Sequence, residues 1–106
     1  MRKAAITAAL IGASEVPLET ARACAVVASL AEIAATQGNV NARADAGVAA
    51  LMAEAACRGA AFNVKVNVDA LDEAAKAHGL LEAAETFVRA ASEAAKRTAE
   101  LVQRGS

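Results

Sequence analysis

The pattern of apolar and polar positions along the chain predicts helices almost everywhere. Apolar residues recur every three or four positions over most of the sequence, which places them on one side of a helix. We expect a short helical segment over about residues 3–10, ended by Gly12. A second helix is expected from Ser14 to about Gln37, with Ser14 or a neighbour as its cap and Pro17 in its first turn.

The second half of the chain is predicted to form two more helices. A stop signal at residues 38–39 precedes Asn41, which is the expected cap of a third helix. Residues 63–69 alternate polar and apolar side chains as a strand does. A lone strand would leave its backbone groups unpaired unless it joined a second subunit, so we predict that the helix continues. The last helix is expected from Asp69 to about Gln103.

Alanine supplies most of the apolar content. The chain has 33 Ala among 106 residues, 57% hydrophobic residues and only 2% aromatic ones. Alanine favours helices but buries little area, so its helices gain stability through long, close contacts. We therefore predict one all-α domain over residues 1–106: an antiparallel bundle of about four helices, completed by homo-oligomerisation into a dimer or a higher oligomer. Gly47 and Gly59 each cost about 1 kcal/mol in a helix, so each is expected at a close helix contact.

Charge and cysteine usage narrow the functional classes. Eleven Lys and Arg against twelve Asp and Glu give a net charge of -1 without a basic block, so no nucleic-acid partner is expected. Residues 1–13 have the outline of a signal peptide, which stays open as an alternative, but their apolar run is weak. No stretch is apolar enough for a membrane helix, and we expect a soluble cytoplasmic protein. Cys24 and Cys57 are expected to be buried reduced thiols, with a disulfide or metal role as the alternative.

Three ordered stretches carry a more specific pattern. They are E-V-P-L at residues 15–18, G-N-V-N-A-R-A-D-A-G-V-A-A at residues 38–50 and R-G-A-A-F-N-V-K-V-N-V at residues 58–68. The ordered set resembles the C-terminal half of the cyclodeaminase domain in the formiminotetrahydrofolate cyclodeaminase and methenyltetrahydrofolate cyclohydrolase family. The resemblance implies an all-helical fold, a dimer, and action on one-carbon units carried by folate.

The chain also departs from the family pattern. A full family domain is about twice as long, and its first half carries a glycine-rich segment and an Asp-containing helix that are associated with substrate binding and proton transfer. Neither has a counterpart here, so the resemblance predicts a truncated member with doubtful activity of its own. The position before Asp45, usually Ser or Thr in the family, is Ala44, which offers no hydroxyl for capping.

Ring closure with loss of ammonia, or hydrolysis of a methenyl bridge, needs a general acid or base and donors for an anionic folate. Asp45 is the candidate catalytic carboxylate, and the alternative is an acid that only stabilises a helix N-terminus. His78 is expected on the surface, and no metal-ligand cluster is expected. Six polar residues are candidates for folate binding, with a solvated surface as the alternative: Asn39, Asn41, Arg58, Asn63, Lys65 and Asn67.

Two classes of function are therefore predicted. The first is an enzyme, or a remnant of one, that acts on a tetrahydrofolate derivative as substrate. The second is a non-catalytic helical oligomer used for binding or scaffolding.

Overall fold

Three long helices make up the described part of the chain. The computed structural model describes residues 2–72 and 79–104. The helices are α1 (Arg2–Gln37), α2 (Val40–Asp69) and α3 (Leu80–Arg104), and no strand occurs in the two described ranges. The prediction of an all-α helical bundle is confirmed. The predicted number of about four helices is wrong, because the first two predicted segments form one helix.

Gly12 and Pro17 lie inside α1 rather than at a helix boundary, so the predicted break between them is wrong. Ser14 is buried, and its hydroxyl donates to the carbonyl of Leu10 at 2.9 Å, which continues the helix instead of capping a new one. Pro17 has no N–H and leaves the carbonyl of Ala13 without its usual helical donor. Apolar residues on both sides of this point pack against the end of α2, which offsets the local cost.

Helix α2 begins two residues, or about half a turn, earlier than predicted. Asn39, not Asn41, is its cap: the Asn39 side chain accepts a hydrogen bond from the backbone N–H of Ala42 at 2.9 Å. Asn41 already lies in the first turn, so its predicted capping role is wrong. Residues 63–69 are helical, as predicted against their alternating pattern.

Asp69 ends α2 instead of opening the last helix, so the predicted start there is wrong. Its carboxylate pairs with Lys65 Nζ at 2.8 Å, and the N–H of Ala70 bonds back to α2 carbonyls. Gly79 directly precedes α3 with φ 71°, a left-handed conformation that favours glycine. The predicted course of the last helix through residues 73–78 lies outside the described residues.

The helices lie side by side along a long bundle, with Cα extents of 62 × 17 × 15 Å. Helices α1 and α2 are antiparallel, and the thiol of Cys57 meets the carbonyl of Ala21 at 3.4 Å near the middle of both. Helix α3 runs parallel to α1, because Arg97 near its end pairs with Glu32 near the end of α1 at 2.7 Å. The predicted antiparallel arrangement therefore holds for α2 against both neighbours.

The core is narrow because alanine fills it. Among the described residues, thirteen of the seventeen buried hydrophobic residues are alanine. A Cβ atom at Gly47 would lie 2.9 Å from Val102 Cγ2, which confirms the predicted close helix contact at this glycine. The same prediction is wrong for Gly59, where nothing lies within 4 Å. Small residues thus let the helix backbones approach, and large apolar residues are displaced outwards.

Many large apolar side chains lie on the outside of α1 and α2. Val16, Met52, Phe62 and Val66 are 68 to 72% exposed. The exposed positions of α3 are instead mostly charged. Within residues 2–72 and 79–104, no helix has the combined length and hydropathy that a membrane span needs.

Candidate functional site

Three of the predicted site residues lie at the start of α2, beside the short turn from α1. The Asn39 side chain is engaged in capping the helix, as described above. Asn41 and Asp45 are exposed, and no hydrogen bond or ion pair of either side chain is present within the described part of the chain. We call Asn39, Asn41 and Asp45 the turn cluster.

Two other predicted site residues, Asn63 and Asn67, line a groove between α1 and α2 that we call the Asn groove. Its volume is about 460 Å³. One turn of helix separates the two asparagines, so their amides face the same way. The groove is lined by Ala13, Val16, Pro17, Thr20, Ala56, Ala60, Asn63, Val66 and Asn67.

The Asn groove exists because small residues and a proline meet there. Ala56 and Ala60 on α2 leave space beside Pro17 on α1. The amides of Asn63 and Asn67 have no hydrogen-bond partner among the described residues. Each amide offers both a donor and an acceptor. The groove can therefore bind a flat ligand with adjacent donors and acceptors on its edge.

The remaining two predicted residues, Arg58 and Lys65, lie in a second groove, between α2 and α3. We call it the Arg groove; its volume is about 410 Å³. Arg58 Nη2 donates to Ser92 Oγ at 2.7 Å and to Glu54 Oε2 at 3.0 Å. The Arg groove is lined by Arg58, Ala61, Phe62, Lys65, Leu81, Glu85, Val88, Arg89 and Ser92.

Charge and apolar surface lie side by side in the Arg groove. Hydrogen bonding with Ser92, assisted by the ion pair with Arg58, lowers the pKa of the neighbouring Glu54 carboxyl against the opposing effect of burial. Glu85 and Arg89 have no such partner within the described chain. The groove wall carries three cations and one carboxylate, but two of the cations are already ion-paired with Glu54 and Asp69. Arg89, which has no partner among the described residues, remains to attract an organic anion with an apolar body.

The structure does not bring the six candidate binding residues and Asp45 together in one chain. Asn63 and Asn67 face α1, whereas Arg58 and Lys65 face α3. Asp45 and Asn63 are 18 residues apart, which is five full turns, so they share one side of α2 at a separation of about 27 Å along its axis. The candidate residues therefore lie in three separate groups along α2, and their functional roles stay predictions.

Sequence reasoning missed the residues that α3 contributes. Glu85, Arg89 and Ser92 recur at spacings of four and three, which indicates one side of a helix. Their position opposite Arg58 depends on the register between α2 and α3, which the spacing alone does not give. Pro17 was assigned to a first helical turn, and its place in the Asn groove follows only from the unbroken α1.

Neither cysteine lines the Asn groove or the Arg groove. Both cysteines are free; Cys57 is buried as predicted and Cys24 is half-buried. Burial raises the pKa of the Cys57 thiol, and the nearby Cys24 adds to the effect. Within the two described ranges, no group of three or more His, Cys, Asp and Glu side chains could hold a metal ion. His78 lies outside the described residues.

The comparison with known proteins identifies a class of folate-linked proteins. The family model described as formiminotransferase-cyclodeaminase matches residues 1–86, and the chain belongs to this family. A methenyltetrahydrofolate cyclohydrolase of Methylorubrum extorquens is 44% identical over 102 residues, which cover 96% of this chain and 49% of that protein. The chain thus spans about half the length of this curated relative.

Proposed function

We propose that the chain binds a tetrahydrofolate derivative and takes part in opening or closing its one-carbon bridge, as methenyltetrahydrofolate cyclohydrolases and formiminotetrahydrofolate cyclodeaminases do. Membership of the family and the 44% identity to a cyclohydrolase support this proposal. The observation that carries it is that residues 15–18 and 58–68, far apart in the sequence, both contribute to the Asn groove. A cytoplasmic location belongs to the same proposal.

In this proposal the Asn groove holds the pteridine end of the ligand. A reduced pteridine has neighbouring N–H donors and a carbonyl acceptor on one edge, and an asparagine amide pairs well with such an edge. Asn63 and Asn67 supply two amides on one side of α2. Val16 and Val66 offer apolar surface to the flat faces of the ring.

The Arg groove would hold the carboxylates of the same ligand. It lies on the other side of α2, about one helix diameter from the Asn groove, or roughly 10 Å. Lys65 pairs with Asp69 on an exposed surface, and such pairs contribute little stability, so a ligand carboxylate can replace Asp69 at low cost. Phe62 and Val66, one turn apart, form the ridge between the grooves and would contact the middle of the ligand.

Hydrolysis of a methenyl bridge adds water to the bridging carbon and breaks one carbon–nitrogen bond. The water must lose a proton, and the leaving nitrogen must gain one. Asn63 and Asn67 can bind and orient the water, but an amide is neither an acid nor a base near neutral pH and cannot take up or release the proton. Glu85 in the Arg groove is therefore the carboxylate assigned to proton transfer in this proposal. Asp45 in the turn cluster lies about 27 Å along α2 from Asn63 of the same chain, too far to reach the same ligand.

The test follows the absorbance loss of methenyltetrahydrofolate and titrates a stable reduced folate in a calorimeter. We expect Asn63→Ala and Asn67→Ala each to weaken binding about tenfold, because each removes hydrogen bonds to the ligand. Lys96→Ala, on the exposed side of α3, is the matched control and should bind as the unchanged chain does. Neither binding nor turnover by the unchanged, folded chain would overturn the proposal.

A specific observation favours the second candidate, a non-catalytic oligomer. None of the nine residues that line the Asn groove is ionisable, so the groove by itself holds no proton carrier. The exposed apolar side chains of α1 and α2 fit an association surface. A stable oligomer that binds no folate would establish this alternative.

A further inference from the structure

The two cysteines of the chain lie on neighbouring helices and have no part in the proposed function. Cys24 lies in α1 and Cys57 in α2, and both thiols are free. Cys57 is fully buried, whereas Cys24 is half-buried and reaches the surface of the bundle. Their position relative to each other therefore decides what chemistry they share.

The layered packing of the three helices brings the two cysteines together. Ala31, Ala50 and Ala95 pack against one another, one from each helix. Helix α2 runs antiparallel to α1 and α3, so the next such layer lies one heptad towards the start of α1 and towards the end of α2. That layer contains both cysteines and Val88. The two thiols thus belong to one layer between α1 and α2.

The contacts of the two side chains agree with this layer. Cys24 packs against the buried cluster that contains Cys57. The Cys57 thiol lies 3.4 Å from the carbonyl oxygen of Ala21, which is about one turn of α1 before Cys24. Helical side chains lean towards the N-terminus, so the Cys24 thiol leans towards the same turn. Burial raises the pKa of the Cys57 thiol, and the electrostatic effect of Cys24 adds to it, as between close neighbours.

The alanine core lets α1 and α2 approach closely enough for a disulfide. A disulfide joins residues whose Cα atoms are about 4.4–6.8 Å apart. Helix axes at the lower end of the usual spacing, about 8 Å, bring facing Cα atoms within this distance, since the Cα radius of a helix is about 2.3 Å. Small side chains permit such a spacing. Around the two cysteines they are Ala21, Ala25, Ala28, Ala53 and Ala60.

We propose that Cys24 and Cys57 are a redox-sensitive pair, which hydrogen peroxide converts into a disulfide that joins α1 to α2. The disulfide also holds two walls of the Asn groove together. Thr20 and Ala56 line that groove, and they are neighbours of the cysteines along their own helices. The pairing does not rest on the proposed folate function.

The more accessible thiol, that of Cys24, reacts first. Its thiolate sulfur attacks one oxygen of hydrogen peroxide, the O–O bond breaks, and a sulfenic acid forms with release of water. The Cys57 thiol then gives up its proton, and its sulfur attacks the sulfur of Cys24. The S–S bond forms, the S–O bond breaks, and a second water leaves. Two thiols are thereby oxidised to one disulfide, and the peroxide is reduced to water.

Peptide mass spectrometry of the unchanged chain tests the pairing. The dilute protein is treated with hydrogen peroxide, the remaining thiols are blocked with N-ethylmaleimide, and the chain is digested with trypsin without a reductant. Cleavage after Arg22, Arg43 and Arg58 places the two cysteines in separate peptides, 23–43 and 44–58. We expect these two peptides to be joined by a disulfide that dithiothreitol reverses.

A variant that moves the α1 thiol by one residue is the matched control. Ala23→Cys in a Cys24→Ala background places the thiol about 100° round the helix, on the exposed side of α1. It should form no link to Cys57 within the chain. Cys57→Ala should leave Cys24 as the sulfenic acid, which dimedone labels.

Three results on the unchanged chain would overturn the proposal, and none depends on the folding of a variant. The first is oxidation of Cys24 beyond the sulfenic acid while Cys57 remains a thiol. The second is a covalent dimer in which peptide 23–43 is linked to a second copy of itself. The third is the recovery of both thiols unchanged under conditions that oxidise a small free thiol.

Denaturant unfolding shows whether the disulfide fits the native packing. A link between residues 24 and 57 restricts the unfolded chain, so the oxidised chain should unfold at a higher denaturant concentration than the reduced chain at the same protein concentration. An equal or lower midpoint for the oxidised chain would show that the link distorts the bundle. That result would overturn the proposed fit of the pair to the native fold.

Discussion

The outer sides of α2 and α3 differ although both helices pack on the same alanine core. The exposed stripe of α2 runs through Met52, Phe62 and Val66. The corresponding stripe of α3 is charged or polar at every position: Glu82, Glu85, Arg89, Glu93, Lys96, Glu100 and Gln103. A helix with a polar outer side is suited to contact with solvent on that side, whereas a helix that is apolar all round is suited to burial on both sides.

The difference indicates where the bundle can gain further stability. Alanine in the core contributes little transfer free energy, and the residues that would contribute more lie outside. Each large apolar side chain left in water forgoes roughly 1.5–3 kcal/mol. Self-association through the outer sides of α1 and α2 would recover part of this free energy, and the charged outer side of α3 offers nothing comparable.

The largest expected effect comes from placing charge on the two outer sides. Met52→Glu should weaken self-association by about a hundredfold or more, because a carboxylate in an apolar interface costs several kcal/mol unless it is paired. Ala90→Glu, at an exposed position of α3, is the matched change and should leave association unaffected. Sedimentation velocity over a concentration series measures the self-association of both variants. Equal weakening by the two variants would contradict the difference between the outer sides of α2 and α3.

A smaller effect is expected from enlarging an alanine of the core. Ala21 is fully buried, and its carbonyl accepts the Cys57 thiol hydrogen bond. Ala21→Leu should therefore lower the free energy of unfolding by about 1–3 kcal/mol through overpacking. Ala90→Leu has space in solvent and should change it little. Denaturant unfolding at a fixed protein concentration checks the difference; a tolerated Ala21→Leu would mean that the core is looser than described.

Loss of the cap at the start of α2 should lower the free energy of unfolding by about 1 kcal/mol. Asn39→Ala removes the side-chain acceptor for the N–H of Ala42 and leaves that donor to water. Asn41→Ala keeps the cap and is expected to be nearly neutral, within about 0.5 kcal/mol. Thermal unfolding of both variants measures the two losses of stability. A larger loss of stability for Asn41→Ala than for Asn39→Ala would show that Asn41 is the cap.

The smallest effect concerns the two thiols, and it appears in a rate rather than in stability. Burial raises the pKa of Cys57, so at a given pH less of it is the reactive thiolate. Cys24 is half-buried and more accessible. We expect iodoacetamide at mildly alkaline pH to alkylate Cys57 several-fold more slowly than Cys24, as measured by peptide mass spectrometry. Equal rates would show that the contact between α1 and α2 opens readily.

Much of the fold could be predicted from sequence because helical spacing is a local property. Residues 63–69 were correctly predicted as helix, since a lone strand has no partner for its backbone groups. The break predicted between Gly12 and Pro17 was wrong, because packing of α1 against α2 overrides both local signals. Asn39 and Asn41 are both good capping residues and lie only about half a turn of helix apart, so the sequence alone does not decide which of them is the cap.

The candidate site could be predicted only in part. The presence of amide and cationic residues on α2 follows from the sequence, and so does the shared direction of Asn63 and Asn67. The separation of Arg58 and Lys65 into another groove depends on where α3 lies. The contribution of Glu85 depends on the register of α3, which no local pattern contains.

The measurement that tests the account most directly is the calorimetric titration of the unchanged chain and of Asn63→Ala with a stable reduced folate, with the absorbance loss of methenyltetrahydrofolate followed on the same samples. The account predicts that the unchanged chain binds the folate and that Asn63→Ala binds it about tenfold more weakly, because the variant loses hydrogen bonds to the ligand. Equal binding by the two chains would contradict the account.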